Sequence, residues 1–295
     1  MKLFVPENIK ELKTIHKKIY KKDYKVKYLA GATDLTIQIN SKEIKADTII
    51  YLGNLDELKN ISETADHLKI GALVTFSEIL KSKLINEKTS FLAEAAAQCA
   101  APQIRNMGTI GGNIGNGSPA ADLLPPLLAG EALVELLTPQ GLKTVPLEEI
   151  PKGVGETNLN NLDLIKNILL PKPITNGTFI KLGIRDSLVI ARINLAMFIK
   201  EDRFNTIESC GIALGAVAPT VIRVPEAEKI MIDSSPSLDL FLKVISIISE
   251  VASKHLGNRA SAPYKREAIK GVAAEAFYRL YPEIMEEMGG VDNRL

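Results

Sequence analysis

The sequence predicts an α+β protein built in two units, and three observations carry that prediction. Up to Leu170, short apolar runs of strand type alternate with short helical patterns. A Pro171-Lys172-Pro173 step then breaks the chain. Beyond it, three strand patterns come first and the helices follow as a group, the order of an α+β unit and not of a βαβ array. At 295 residues the chain is long enough for about two domains with cores of their own.

The elements follow in order. Pro6, then Ile9, Leu12, Ile15 and Ile19, recur as in an amphipathic helix. Lys10, Lys13, Lys17, Lys18, Lys21, Lys22, Lys25 and Lys27 make its outer face and exit a solvated surface, and the same pattern puts His16 on the helical surface. Val26, Tyr28 and Ala30 alternate as a strand ending at Gly31, and the chain then turns into a second helix carrying Leu35 and Ile39. Residues 48–53 and 68–73 read as strands. Thr75-Phe76-Ser77-Glu78 is a capping box that opens a helix with Ile79 and Leu80 inward. An alanine-rich helix over 91–101 is expected to stop at Pro102. Residues 122–129 read as a helix, 132–137 as a strand, 152–161 as a polar, mobile loop and 162–170 as a strand. After the break, strands are expected over 178–182, 191–200 and 207–217, and helices over 226–231, 238–255 and 264–281.

Bulk chemistry narrows the function classes. A formal net charge of +1 argues against nucleic acid or an anionic membrane as main partner. No apolar run reaches the roughly 18–20 residues of a membrane span, and MKLFVPENIK lacks the features of a signal peptide. Cys99 and Cys210 sit in apolar, small-residue contexts and read as buried reduced thiols, so a cytoplasmic location is expected. Two cysteines and three histidines exclude a four-thiolate iron–sulfur cluster, and no zinc-site spacing is present.

Two turns can carry chemistry. Residues 108–117 hold glycine at 108, 111, 112, 115 and 117, and Ala30-Gly31-Ala32-Thr33-Asp34-Leu35 forms a second turn about eighty residues earlier. Neither fits the dinucleotide fingerprint, and no phosphate loop of the GxxxxGK[ST] kind occurs. One reading of such glycine is a tight surface connection. The other is a concave anion site made of consecutive unhindered amides, each charge-assisted bond being worth about 1.5–3 kcal/mol. Two converging turns would then grip a diphosphate. Arg105-Asn106 are expected to brace the second turn through backbone carbonyls, and Arg185-Asp186 to form a surface turn.

At this point several segments are recognisable together. LAGATDLTIQI, LKIGALVTFSEI, APQIRNMGTIGGNIGNGSPAADLLPPLLAGEALVEL and FIKLGIR, with NRASAPYKR opening the last helix, resemble the FAD-binding medium subunits of the molybdenum hydroxylases. This is the family of xanthine dehydrogenase and carbon monoxide dehydrogenase. The resemblance runs through nearly the whole chain. It implies a two-lobed PCMH-type FAD-binding domain over 1–172, with subdomains 1–55 and 56–172. A C-terminal domain like that of the CO dehydrogenase flavoprotein would follow over 173–295, with an antiparallel three-stranded sheet and a helical bundle.

The resemblance also implies site roles. Tyr28, Leu29, Ala30, Gly31, Ala32, Thr33, Asp34 and Leu35 would form the first FAD loop. Thr109, Ile110, Gly111, Gly112 and Asn113 would form the second, completing the grip on the diphosphate. Asp122 would hydrogen-bond a cofactor hydroxyl or stabilise the loop, a role that suits a carboxylate. Cys99 and Ile165 would contact the cofactor, and Lys181 would lie near the flavin, where a cation can stabilise the reduced ring. No histidine neighbours a glycine turn, so no histidyl–flavin bond is expected. The family's first loop usually reads AGGTDL. Here Ala32 replaces the second glycine, and would be strained if that position needs a positive φ.

By the same resemblance the chain is an electron-relay subunit with FAD as cofactor and no catalytic or metal residues of its own. Electrons would come from a [2Fe–2S] small subunit, fed by a molybdenum cofactor-binding large subunit that oxidises the substrate, and would leave to NAD⁺ or another acceptor. The assembly would be a heterotrimer or a dimer of heterotrimers. The competing readings are a stand-alone FAD-dependent oxidoreductase with its own substrate site, and a binding module that has lost FAD.

Overall fold

The computed structural model describes all residues except 21, 23, 172, 173, 175, 186–189 and 287–295. Lys172, Pro173, Lys21 and Asp186 therefore lie outside the described residues, and with them part of the expected chain break. Among the described residues, three sheets of three or more strands follow one another along the sequence, with one two-stranded sheet besides.

The first is parallel, with Thr48–Tyr51 between Lys2–Phe4 and Val26–Leu29. The helix over it runs Ile9–Ile19, and Asn8 caps it by accepting from the Glu11 amide at 2.9 Å. Pro6 stands outside this helix, before its cap. Leu12, Ile15 and Ile19 form the buried stripe with Val26 and Ile50. His16 is a correction: it is buried at 3% exposure, on the inner face.

The second sheet is antiparallel, in the order Ile61–Glu63, His67–Gly71, Leu164–Pro171, Leu133–Thr138 and Gly141–Pro146. The expected capping box is present at Thr75 and Glu78, opening Phe76–Lys81. The alanine-rich helix spans Ser90–Gln98, and Pro102 does not merely end it. Pro102 starts a further turn, Pro102–Arg105, where its fixed φ and missing N–H are no handicap. The expected mobile loop is instead a hairpin, Pro151–Gly153 with Glu156–Thr157, tied to the glycine stretch by Gly155 N donating to Gly117 O at 3.0 Å.

The third sheet pairs Gly177–Leu182, Ile193–Glu201 and Ile207–Gly215 antiparallel, and a short fourth strand, Ile222–Arg223, extends it. Side chains alternate across it. Ile180, Leu195, Met197, Ile212 and Leu214 join the core under helices Leu238–Leu256 and Ala262–Leu280. Phe179, Ala196, Ala213 and Val221 point the other way, into the core of the second sheet with helices Ser90–Gln98 and Leu124–Ala129. Among the described residues no helix is long and apolar enough to cross a membrane.

Candidate functional site

A cavity of about 850 Å³ opens between the first-sheet and second-sheet parts of the chain, within the roughly 300–1,000 Å³ usual for small-molecule and cofactor sites. Tyr28, the turn from Ala30 to Leu35, Cys99, Thr109, Gly111, Gly112, Asn113, Asp122 and Ile165 all line it. Most of the sequence-predicted set is thus brought together from five separate segments. Leu29, Ile110 and Lys181 are not in the wall. Lys25 and Lys27 are, although the sequence pattern assigned them to a solvated face.

Backbone approach explains how the two turns meet. A Cβ on Gly31 would stand 1.7 Å from the Met107 carbonyl oxygen, so only glycine lets the first turn touch the segment leading into the second. Asn116 ties them further, donating to Asp34 Oδ1 at 3.3 Å and accepting from Gln38 Nε2 at 3.4 Å. Ala32 has φ 62°, so the position does require the left-handed conformation that the sequence left open. For alanine that costs about 1–2 kcal/mol.

The second turn is not an open loop. Thr109 caps a short helix, Ile110–Gly115, its hydroxyl accepting from Gly112 N at 3.0 Å. Ile110 is fully buried and its amide bonds Val74 O, while Gly111 is pressed against Ala72. Gly112 and Gly115 are exposed, and both line the cavity. Around their absent Cβ atoms the nearest contacts are Thr109 Oγ1 at 2.9 Å and Ile165 Cδ1 at 3.9 Å. Asn113, also in the wall, has a buried Oδ1 without a partner in the chain. The amides of Ile110, Gly111, Gly112 and Asn113 all donate within the chain, so the second turn does not supply the free N–H groups expected of it. What it offers a dinucleotide is close approach at Gly112 and Gly115 and the orphaned Asn113 Oδ1.

Deeper in the wall lies a charged cluster. Asp122 Oδ2 is 2.6 Å from Lys181 Nζ, both side chains being below a tenth exposed, and Lys181 also donates to Gln98 O at 2.9 Å. Asn194 Nδ2 donates to Asp122 Oδ1 at 3.0 Å. Burial pushes the Asp122 pKa up, against the pull of Lys181 and of its hydrogen bonds. Burial, then the Asp122 charge, holds the Cys99 thiol well above its ordinary value and so protonated. Lys181 thus reaches the cavity through Asp122. The cost of breaking such a buried pair by removing one partner is about 3–5 kcal/mol.

Two supports stand behind the wall. The Tyr28 hydroxyl donates to Leu162 O at 3.1 Å and lies 2.8 Å from His16 Nε2. Burial, then the charge of Asp163, raises the Tyr28 pKa. Arg105 Nη1 donates to the carbonyls of Cys99 and Ala100 at 3.0 and 2.7 Å, so it braces backbone carbonyls, but those that follow the alanine-rich helix and not those of the glycine turn. Asn106 instead accepts from Ser77 Oγ. Sequence reasoning missed His16, Asn116 and Asn194. Asn116 and Asn194 are polar residues in a glycine-rich and an apolar run, a signal too common to single out a site, whereas the spacing of His16 from Leu12 and Ile19 could have placed it on the buried face.

Comparison with known proteins gives the family. Residues 1–173 match the family described as FAD binding domain in molybdopterin dehydrogenase, and residues 179–280 match the CO dehydrogenase flavoprotein C-terminal domain. The nicotinate dehydrogenase FAD-subunit of Eubacterium barkeri is 28% identical over 292 residues, 97% of either chain. The xanthine dehydrogenase FAD-binding subunit of Escherichia coli O157:H7 is 32% identical over 239 residues, 80% of either chain. A solved structure of carbon monoxide dehydrogenase from Hydrogenophaga pseudoflava, lacking the Mo-pyranopterin moiety of the molybdenum cofactor, is similar with a TM-score of 0.86 at 25% identity. It covers 96% of this chain and 97% of its own. The chain belongs to the FAD-binding subunits of the molybdenum hydroxylase family, an oxidoreductase subunit whose cofactor is FAD.

Proposed function

We propose that the cavity holds FAD with its diphosphate between the Ala30–Asp34 turn and the first turn of helix Ile110–Gly115. The chain then relays electrons from a [2Fe–2S] subunit to NAD⁺ or another acceptor, while an organic substrate or CO is oxidised on a separate molybdenum subunit. The observation that carries this reading is the backbone-to-backbone approach of Gly31 to Met107, which brings the two turns to one cavity whose wall is open at Gly112 and Gly115. FAD supplies the redox chemistry when bound. The chain's own residues bind and orient it. Tyr28, held by His16 and Leu162 O, fixes the first turn; Arg105 fixes the backbone around Cys99; Lys181 and Asn194 hold Asp122. Relatives named as medium chains or subunits, such as the carbon monoxide dehydrogenase medium chain of Hydrogenophaga pseudoflava, support a heterotrimer or its dimer. Two buried free thiols fit a reducing, cytoplasmic setting.

Gly112→Val tests the cradle, because only one side-chain atom, Thr109 Oγ1, stands within 4 Å of the added carbon. The variant is expected to fold, to assemble with its partners, and to lose flavin affinity by more than about tenfold, or about 1.4 kcal/mol. Flavin absorbance of the purified complex measures this. Unchanged flavin content in both Gly112→Val and Gly115→Val would overturn the diphosphate assignment. Bleaching of the flavin by an organic substrate without partner subunits would mark a stand-alone oxidoreductase instead.

A further inference from the structure

Register across the third sheet aligns Lys181 with Asn194, and Asn194 with Gly215. These residues form one row over three adjacent strands, and the row meets a single side chain from outside the sheet, Asp122. Lys181 holds one carboxylate oxygen and Asn194 the other. Gly215 provides the room, since a Cβ there would stand 2.0 Å from Asn194 Oδ1. Asn194 is fully buried, at 0% exposure, so its side chain has no alternative outlet toward water.

The carboxylate can be counted. Its two oxygens offer about four lone-pair positions. Lys181 and Asn194 take one on each oxygen. Asp122 lines the cavity, so a position left over can accept a hydrogen there. We infer that Asn194, given room by Gly215, is a positioning residue for FAD: it fixes the Asp122 carboxylate so that a remaining lone-pair position accepts a hydroxyl hydrogen of the bound cofactor. This rests on the reading above that Asp122 faces the flavin nucleotide.

Charge makes the arrangement testable. The groups around Asp122 are Lys181 on its strand, Cys99 at the end of helix Ser90–Gln98, and Arg105, whose charge reaches Cys99 from the next turn. Glu94, on the same helix as Gln98, is taken up by the Phe179 amide at 3.0 Å. Burial favours the protonated acid, and the donors oppose it. Only the carboxylate offers the full set of acceptor positions, so FAD affinity should fall as pH drops far enough to protonate Asp122. Removing the Asn194 donor should make protonation easier and move that fall to higher pH.

The experiment titrates the full-length apo chain with FAD, by flavin fluorescence, from neutral pH into the acid range. Asn194→Val removes the donor. The isosteric Asn194→Asp keeps the volume if the valine variant does not fold, and sets two carboxylates side by side. Both are expected to weaken FAD at neutral pH and to shift the acid limb upward, Asn194→Asp the further. Asp122→Asn should weaken FAD and flatten the acid limb. A flattened Asp122→Asn profile, with foldable Asn194 variants keeping the wild-type limb, would overturn the role of Asn194 alone. A wild-type profile in Asp122→Asn would overturn the reading of Asp122 itself.

Discussion

His16 is an imidazole held neutral by burial, its pKa brought down to about 4 from the ordinary 6.5. The unfolded chain binds this proton as pH falls through 6.5, whereas the folded chain does not until about 4. Its contribution is therefore complete above pH 6.5 and is lost as pH falls toward 4, up to about 3 kcal/mol in all. Urea midpoints should drop between neutral and acid pH, and His16→Phe should reduce that drop; an unchanged drop would show that other groups cause it. At this scale the sequence was legible for residue type more than for direction. It flagged Ala32 as a position where φ mattered, and the structure supplies φ 62°. His16 was read as outside although it stands four residues after Leu12 and three before Ile19, on the buried stripe, where it meets Tyr28. Lys181 was recognised as a site residue, but its hold on Asp122 depends on a strand some sixty positions away, as the separation of 59 in that bond records.

The helix Ile110–Gly115 shows why an element can be visible in a sequence and still be misread. Three of its six residues are glycine, each costing about 1 kcal/mol of helix propensity relative to alanine, so local preference points to a loop. Tertiary contacts override it: Ile110 and Ile114 are fully buried, Thr109 caps the start, and the amides of Ile110 and Gly111 bond Val74 O and Ala72 O. The glycines then divide by neighbour. A Cβ on Gly111 would meet Ala72 Cβ and O at 2.7 Å, whereas one on Gly115 meets nothing closer than 3.9 Å. Gly111→Ala should destabilise the apo chain, overpacking of about 1–3 kcal/mol outweighing the propensity gain, and Gly115→Ala should leave it as stable or more so. Denaturant midpoints of the two variants decide this, and equal midpoints would remove the distinction. The capping box was legible because both its partners lie within four residues. The hairpin of Pro151–Gly153 with Glu156–Thr157 was not, since its anchor is Gly117 O, far back in the chain.

For the whole molecule, the change of sheet near Pro171 is plain in composition, but packing runs through it. Phe179, Ala196, Ala213 and Val221 share the core of the second sheet. Glu94 receives the Phe179 amide, and Arg223 pairs with both Glu131 and Glu228. Calorimetry should therefore show one unfolding transition for the chain; two resolved transitions would show that the sheets melt independently. The order α+β was readable because strand and helix periods differ, whereas the sharing of one core between units depends on which face of each strand turns inward.

That shared core also sets a schedule for making the protein. A chain leaving the ribosome from its N-terminus has the second sheet and its helices in hand well before Val221 is added. Until then the sockets for Phe179, Ala196, Ala213 and Val221 stand open, and apolar helix surface at Ser90–Gln98 and Leu124–Ala129 faces water. Closure of the cavity wall at Asp122 waits longer still in logic, since Lys181, Asn194 and Gly215 must all be in place. The nascent chain is thus most vulnerable to aggregation late in its synthesis, when most of it already exists and its central core is still missing one side.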